Sequence, residues 1–326
     1  MSYTNEILDN CKEIIATRKF KAETLQQKRE EEVKVKVPNI AKYLLEMSKS
    51  GLAVIKAIGM GENAESYIKE LSEINLKIQK CIKEELIKAG YPADYLETPY
   101  TCKKCNDTGF DGIYSCSCRN SLLKKLNLEE LYKVSTAEKC KFDNFDLSFY
   151  PDEFCPDFNS TYKEKMQEIF NYCKDWAEDF DIDSPSLFLH GATGLGKTHL
   201  SLAMANVVAE KGYNIIYGSA QNLLSALERE RFSNNNSGEQ EAKILNCELL
   251  IIDDLGSEFL TSYTLMEIYN IINTRINTSR PVIISTNLTE EEIEKKYTQR
   301  VLSRIMGDYV SLKFAGRDIR QIKNNF

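Results

Sequence analysis

One short glycine-rich stretch constrains the fold of this chain more than any other feature of its sequence. Residues 191–198 read GATGLGKT and fit the pattern G-x-x-x-x-G-K-[ST] at every fixed position. The apolar run SLFLH precedes them as a predicted strand, and HLSLAMANVVAEKG follows as a predicted helix that ends at a glycine. A strand, a glycine-rich turn and a helix in this order predict a loop that binds the phosphates of a nucleotide.

The fixed residues of this loop each have a physical role in phosphate binding. The glycines let the backbone turn with its N–H groups pointing inward, and the helix N-terminus adds partial positive charge. Lys197 places a full positive charge near the β- and γ-phosphates, and Thr198 supplies a hydroxyl to Mg²⁺. The candidate nucleotide-binding residues of the loop are therefore Gly191, Thr193, Gly194, Gly196, Lys197, Thr198 and His199.

Two later apolar runs end in polar side chains. The run LLIIDD ends in Asp253 and Asp254, and the run VIISTN ends in Asn287. Ligands bind outside the carboxyl ends of the strands in open α/β sheets, so these side chains are expected at the nucleotide. We expect Asp253 to hold Mg²⁺ and Asp254 to polarise the attacking water, with Glu258 either an alternative for that role or a solvated loop acid. Asn287 is expected to orient the water or contact the γ-phosphate, the other interpretation being a turn residue.

Apolar runs alternate with helical stretches from about residue 161 onward. The predicted strands are Ser186–His190, Asn214–Tyr217, Leu249–Asp254, Val282–Asn287 and Tyr309–Phe314. Strands that alternate with helices predict an α/β fold, in which a parallel sheet is covered by helices on both faces.

The segment RVLSR predicts a helix with Arg300 and Arg304 on one face. One interpretation is a pair of surface arginines that make weak ion pairs. The other is an arginine finger that stabilises charge on the transferred phosphoryl group in a neighbouring subunit. The second interpretation requires an oligomer.

Four of the ten cysteines crowd together as a C-x-x-C pair and a C-x-C pair, with glycines between the pairs. They are Cys102, Cys105, Cys116 and Cys118. Two tight pairs on glycine-bearing turns bring four thiolates into a tetrahedron, which suits structural Zn²⁺. The alternatives are a reversible disulfide or unrelated buried thiols.

Composition shifts divide the chain into four predicted parts. They are a helical N-terminal domain over 1–98, a four-cysteine zinc element over 99–120, a linker over 121–160 and an ATPase domain over 161–326. Within the first part, an amphipathic helix is predicted over about 63–89, and an earlier helix is interrupted by Pro38. The aromatic residues of the predicted linker are expected to dock on a neighbouring surface.

The bulk composition narrows the compartment and the partners. No apolar run reaches the roughly 18 residues that a membrane span requires. The N-terminus MSYTNEILDNCKEII begins polar and acidic rather than basic and then apolar, which predicts no secretory signal and a cytoplasmic location. A formal net charge of −7 argues against a surface coated in positive charge for binding duplex DNA, although it leaves a local basic groove possible in principle.

Four segments follow one another along the chain: GATGLGKTHL, LLIIDDLGSE, PVIISTNL and RVLSRI. Together they resemble the AAA+ ATPase core of the DnaC/DnaI helicase-loader family. That family is also similar to the IstB transposition ATPases. The resemblance covers about residues 140–326. It implies that Lys197 and Thr198 bind ATP and Mg²⁺, that Asp253 is the Mg²⁺ acid, that Asn287 is the first sensor and that Arg304 is the finger.

The resemblance also bears on the C-terminal end of the core. The family lacks the C-terminal helical lid of other AAA+ proteins, and we expect no such lid here, since about a dozen residues follow the last predicted strand. The sequence therefore does not identify a second sensor arginine, and Arg317 and Arg320 are the two candidates.

A second resemblance concerns the cysteine segment, which reads YTCKKCNDTGF and later CSC. It is similar to the zinc element that precedes the ATPase in DnaI-like Gram-positive loaders and their phage relatives. This resemblance implies a DnaB-type replicative helicase as partner. The resemblance of the ATPase core implies self-association through the ATPase domain, binding of single-stranded DNA and ATP hydrolysis stimulated by that DNA. Two other functions remain open: an IstB-like transposition helper ATPase, and a nucleotide-gated adaptor without significant hydrolysis.

Overall fold

The structure, a computed structural model of the chain, describes residues 3–57, 64–232 and 238–324. The chain forms two compact units. The helical unit comprises Lys12–Arg119, and the sheet unit comprises Asn120–Phe326 together with Met1–Cys11. Across the described ranges, no helix has the length and apolarity needed to cross a bilayer.

Three long helices make up most of the helical unit, and the first of them begins within the N-terminal segment of the sheet unit. They are α1 (Asn5–Lys36), α2 (Pro38–Ala57) and α3 (Ala64–Lys88). The predicted break at Pro38 is confirmed, and proline suits the first turn of a helix because its N–H would be unpaired there. The helix predicted over about 63–89 is confirmed as α3, except for residue 63, which lies outside the described residues. One buried hydrophobic cluster of this unit consists of Val33, Ile40, Ile78, Ile82 and Leu86.

A short antiparallel hairpin separates the two cysteine pairs. Its strands are β1 (Phe110–Asp111) and β2 (Tyr114–Ser115). The turn passes through Gly112, whose φ of 61° lies in the left-handed region that glycine adopts without steric cost. The hairpin reverses the chain and so brings the second cysteine pair back to the first.

Five parallel strands form the sheet of the sheet unit. They are β5 (Ser186–His190), β6 (Ile215–Ser219), β7 (Leu249–Leu255), β8 (Val282–Thr286) and β9 (Tyr309–Lys313). Their order across the sheet is β6-β7-β8-β5-β9. All five predicted strands are present, with ends that differ from the predicted ends by two residues or fewer. A separate hairpin pairs β3 (Phe154–Cys155) with β4 (Ser160–Thr161).

Helices cover both faces of this sheet. They are α4 (Ser117–Val134), α5 (Tyr162–Glu178), α6 (Lys197–Lys211), α7 (Ala220–Phe232), α8 (Glu239–Asn246), α9 (Ser262–Asn277), α10 (Glu290–Tyr297), α11 (Gln299–Asp308) and α12 (Ile319–Asn324). Alternate residues of β5 belong to different buried clusters: Leu187 and Leu189 pack with α5 and α6, whereas Phe188 packs with α7 and α9. This alternation is the reason that the central strands β5, β7 and β8 are apolar along most of their length.

The segment between α4 and β3 is packed against the core of the sheet unit. It runs through three short 3₁₀ turns, at Ala137–Lys139, Phe142–Asn144 and Leu147–Phe149. Tyr150 is fully buried, and Phe142 and Phe145 pack beside it. The expectation that these aromatic residues dock on a neighbouring surface is confirmed, and the surface is that of α5 and α6.

Candidate functional site

The glycine-rich loop joins β5 to α6. Gly191, Gly194 and Gly196 have positive φ angles of 134°, 74° and 86°. These conformations favour glycine because a Cβ atom would clash with the backbone. Gly196 is the N-cap of α6, so the unpaired N–H groups of the first helical turn lie beside a cavity lined by residues 193–199. A helix start of this kind is a binding site for anions.

Lys197, the first residue of α6, is buried although it is charged, with only 6% of its surface exposed. Its Nζ donates hydrogen bonds to the carbonyl oxygens of Gly191 (2.7 Å) and Ala192 (2.6 Å) and to Oδ1 of Asn287 (2.7 Å). Burial lowers the pKa of Lys197 to about 8, against the opposing effect of the two aspartates of β7. The ammonium group is thus held at the loop, where it can pair with phosphate oxygens.

Both aspartates at the end of β7 line this cavity, although neighbouring residues of a regular strand point to opposite faces. The pairing of β7 with β8 is irregular between Ile252 and Leu255, and Asp254 has a φ of 54°. An irregularity of this kind re-aims side chains. Positive φ is uncommon outside glycine, and such residues cluster at functional sites.

The carboxylate of Asp253 lies against the hydroxyl of Thr198. Thr198 Oγ1 donates to it at 3.0 Å from Oδ1 and 3.1 Å from Oδ2. The hydroxyls of Ser285 and Tyr217 donate to it as well. A hydroxyl and a carboxylate side by side are the protein oxygen ligands that Mg²⁺ uses beside nucleotide phosphates. The donor set therefore fits the predicted ion.

Asn287 joins the lysine to the second aspartate. Its Oδ1 accepts from Lys197, and its Nδ2 donates to Asp254 Oδ1 at 2.9 Å. The structure thus brings these three predicted residues together. Because the side chain of Asn287 contacts both Lys197 and Asp254, it does more than an ordinary turn residue would.

Glu258 is only 4% exposed, so its interpretation as a solvated loop acid is wrong. Its carboxylate accepts from the Gly256 N–H at 2.9 Å and from the hydroxyl of Tyr297, and Lys296 lies 3.8 Å away. These contacts fix the loop after β7. Asp254, by contrast, lines the cavity.

The cavity has a volume of about 550 Å³, and part of its wall was not predicted from the sequence. We call residues 136–150 the strap. Its lining residues are Thr136, Cys140, Asn144, Phe145, Asp146 and Phe149. These residues fall in the predicted linker. Within the sequence, the aromatic residues of KFDNFDLSFY indicated that this segment is packed against a surface.

The strap also braces the glycine-rich loop. Tyr150 donates from its hydroxyl to the carbonyl oxygen of Leu195 at 2.9 Å. Phe145 stacks on Tyr150, with ring centres 5.9 Å apart, and meets the ring of His199 edge-on at 5.3 Å. A Cβ added to Gly196 would lie 2.8 Å from Phe145. Gly196 is therefore required both by its backbone conformation and by the closeness of the strap.

Known proteins are similar to this chain over part of its length. Residues 172–321 match the family of IstB-like ATP binding proteins. The replicative helicase loader DnaC of Escherichia coli (strain K12) is 27% identical over 170 residues, which are 52% of this chain and 63% of DnaC. DnaC of Buchnera aphidicola subsp. Baizongia pistaciae is 24% identical over 196 residues, 59% of this chain and 72% of that protein. A crystal structure of the DnaC helicase loader aligns with a TM-score of 0.47 and 20% identity, over 56% of this chain and 100% of the other.

Residues 172–321 therefore form an IstB-like ATP-binding domain that is similar to the DnaC helicase loaders. The resemblance inferred from the four segments is thereby confirmed. The predicted fold class, a parallel α/β sheet with flanking helices, is confirmed as well. Past β9, the part of the chain that the structure describes contains the short helix α12.

The arginines of α11 lie apart from the nucleotide cavity of the AAA+ domain. Arg304 lies 4.0 Å from Asp308, and both line an open groove with Arg300. The predicted finger is thus about half-exposed and lies outside the cavity of its own chain. Of the two arginines considered as second sensor, Arg320 lines the cavity, whereas Arg317 pairs with Glu153 at 2.6 Å.

The four predicted cysteine ligands form one cluster in the helical unit. Their Sγ atoms all lie within 4.8 Å of one another. The distance is 3.8 Å from Cys102 to Cys116 and 3.4 Å from Cys105 to Cys118. A tetrahedron with Zn–S bonds of 2.3 Å has sulfur–sulfur edges of about 3.8 Å. The geometry is therefore compatible with Zn²⁺.

Hydrogen bonds to a buried carboxylate hold the backbone beside the first cysteine pair in place. The buried carboxylate of Asp107 accepts from the backbone N–H groups of Thr101 (2.8 Å) and Cys102 (2.9 Å). Burial opposes ionisation of Cys105, but hydrogen bonds from Gly109 and the neighbouring thiols outweigh it and lower its pKa to about 6. A thiolate is the form that binds metal.

Replacement of Gly196 by alanine tests the contact between strap and loop. Its Cβ would lie 2.8 Å from Phe145 and 3.0 Å from the hydroxyl of Tyr150. The matched control is Gly238→Ala, where φ is 67° but nothing lies within 4 Å of the added atom. We expect Gly238→Ala to lower the free energy of unfolding by about 1 kcal/mol through backbone strain alone. We expect Gly196→Ala to lower it by about 3 kcal/mol, because overpacking adds to the strain.

The unfolding is followed by the fluorescence of Trp176, the single tryptophan of the chain, which lies in the core of the sheet unit. Equal losses in the two variants would show that the strap does not press on the loop.

Proposed function

We propose that this chain is an ATPase that loads a replicative DNA helicase onto single-stranded DNA. The observation that carries the proposal is the arrangement of Lys197, Thr198, Asp253, Asp254 and Asn287 at one tip of the sheet. The relatives that are named replicative helicase loaders support the choice of partner.

The residues of the site divide the work of ATP hydrolysis among them. The N–H groups of the loop and of the first turn of α6 bind the phosphates, and Lys197 adds the positive charge that these groups lack. Thr198 and Asp253 would hold Mg²⁺, which neutralises charge on the β- and γ-phosphates. In this proposal Asp254, whose carboxylate accepts from Asn287, accepts a hydrogen bond from the attacking water.

A neighbouring subunit completes the site in this proposal. Arg304 is half-exposed and lies outside the cavity of its own chain. In a head-to-tail assembly, the arginine of one subunit reaches the phosphates bound to the next, where it stabilises the charge of the transition state. Hydrolysis then depends on assembly, which lets ATP gate delivery and release of the helicase. We propose that single-stranded DNA stimulates this step.

We also propose that the cysteine cluster binds one structural Zn²⁺. Four sulfur ligands leave no open position for water, so the ion stabilises the fold of the element rather than taking part in catalysis. In this proposal, the helical unit that contains the element binds the helicase.

A transposition helper is the second candidate function, because the matching family takes its name from IstB-like proteins. Such a protein shares the ATPase site and differs in its partner. The two candidates are therefore separated by partner binding rather than by ATP turnover. Turnover itself separates both from a nucleotide-gated adaptor.

Two substitutions test the ATPase site. Lys197→Ala should weaken ATP binding by at least about 30-fold in calorimetric titration, because it removes a buried charge that pairs with phosphate. Lys211→Ala, in the last turn of the same helix and outside the cavity, should bind ATP normally. Arg304→Ala should bind ATP normally but lose turnover by roughly 1,000-fold or to background. Full ATP affinity in Lys197→Ala would contradict the site, and normal turnover in Arg304→Ala would contradict the finger.

The partner is tested with the replicative helicase of the same cell. We expect the full chain to co-elute with the helicase in gel filtration and, with ATP, to transfer it onto circular single-stranded DNA. Lys197→Ala should fail in the transfer. Absence of any complex with the helicase, together with ATP-dependent binding to duplex target DNA, would favour the transposition helper instead.

Metal analysis tests the cysteine cluster. The purified chain should contain one Zn²⁺ per molecule, and Cys105→Ser should lose most of it after dialysis against a mild chelator, because three thiolates bind the ion more weakly than four. Cys81→Ser, on α3 and outside the cluster, should retain the ion. A disulfide within the cluster, or unchanged zinc content in Cys105→Ser, would refute the assignment.

A further inference from the structure

Asp253, the expected Mg²⁺ ligand, receives hydrogen bonds from three hydroxyls on three different elements. Thr198 lies at the start of α6, and Ser285 lies on β8. The third hydroxyl is that of Tyr217, on the edge strand β6, and it belongs to none of the segments that carry the family resemblance.

The contacts of Tyr217 are specific. Its hydroxyl donates to Asp253 Oδ2 at 2.8 Å. Its ring is partly buried against the hydrophobic cluster that lies beneath α6. A tyrosine hydroxyl carries its proton at neutral pH, so it can donate this hydrogen bond.

The three donors divide the two carboxylate oxygens between them. Ser285 binds Oδ1, Tyr217 binds Oδ2, and Thr198 lies at a similar distance from both. With one oxygen anchored, the carboxylate could still turn about its Cβ–Cγ bond. With both oxygens anchored, the plane of the carboxylate is fixed, and both oxygens stay within hydrogen-bond distance of Thr198.

We propose that Tyr217 is a positioning residue for the Mg²⁺ of the nucleotide site, which it orients through the carboxylate of Asp253. The inference rests on the proposed binding of ATP with Mg²⁺. Hydrogen-bond partners of metal ligands typically contribute roughly 10-fold to 100-fold in metal affinity because they fix the orientation of the ligand. Tyr217 acts without touching the nucleotide, since it is not among the residues that line the cavity.

The test is Tyr217→Phe, which keeps the packed ring and removes the donor. The probe is Mn²⁺, whose binding to the complex of the full chain with a non-hydrolysable ATP analogue is measured by electron paramagnetic resonance. We expect the Mn²⁺ dissociation constant to rise by about 10-fold. Affinity for the analogue in EDTA should stay within about 2-fold of wild type, since Lys197 and the loop are unchanged.

The matched control is Tyr213→Phe. Tyr213 packs against the same hydrophobic cluster, but its hydroxyl reaches Asp181 at 3.4 Å, away from the nucleotide cavity. This variant should leave the Mn²⁺ constant unchanged. The thermal midpoint, followed at Trp176, and the affinity in EDTA report whether each variant is folded.

The outcomes separate the two proposals. A wild-type chain that binds the analogue and Mn²⁺, with an unchanged or tighter Mn²⁺ constant in Tyr217→Phe, overturns the positioning role alone. A lower thermal midpoint with an unchanged Mn²⁺ constant also overturns it, because the hydroxyl then serves only the fold. A wild-type chain that binds neither probe overturns the proposed function and this inference together.

Discussion

The contact between the hydroxyl of Thr198 and the carboxylate of Asp253 is the interaction on which the rest of the site depends. It joins the start of α6 to the end of β7, two elements that are distant in the chain. The contact forms because β7 and β5 run parallel with β8 between them, so their carboxyl ends meet at one edge of the sheet. Lys197 and Asn287 meet at the same edge for the same reason.

Two backbone features make this meeting point usable. The left-handed glycines let the loop turn tightly enough for α6 to begin at the tip of β5. The irregular end of β7 turns Asp254 toward the cavity that Asp253 already lines. The strap then forms part of the cavity wall and braces the loop through Tyr150. The site is thus held by backbone geometry and packing as much as by its charged groups.

Much of this could be predicted from the sequence because the informative residues are local. The loop, the acidic strand and the strand that ends in Asn287 each carry their signal within a few consecutive residues, and the alternation of strands and helices predicts the sheet. Sequence alone did not predict that Phe145 and Phe149 line the cavity, since a wall built by a distant segment has no periodicity to detect. Tyr217 was missed for the same reason: its hydroxyl acts on a residue of the next strand.

Glu258 shows a different limit of sequence reasoning. A carboxylate near two catalytic candidates has the composition of a functional residue or of a solvated loop, and the pattern does not separate them. Its burial against Tyr297 depends on the position of α10, which the residues around Glu258 do not encode. The cysteine cluster is the opposite case, because the spacing of its two pairs and the intervening glycines already define its geometry.

The most direct test of this account is a crystal structure of the full chain with Mg²⁺ and a non-hydrolysable ATP analogue. The account predicts that the phosphates lie in the loop, that Lys197 contacts the β- and γ-phosphates, and that Mg²⁺ lies between Thr198 and Asp253. A nucleotide bound elsewhere, or a metal ion away from that pair, would contradict it.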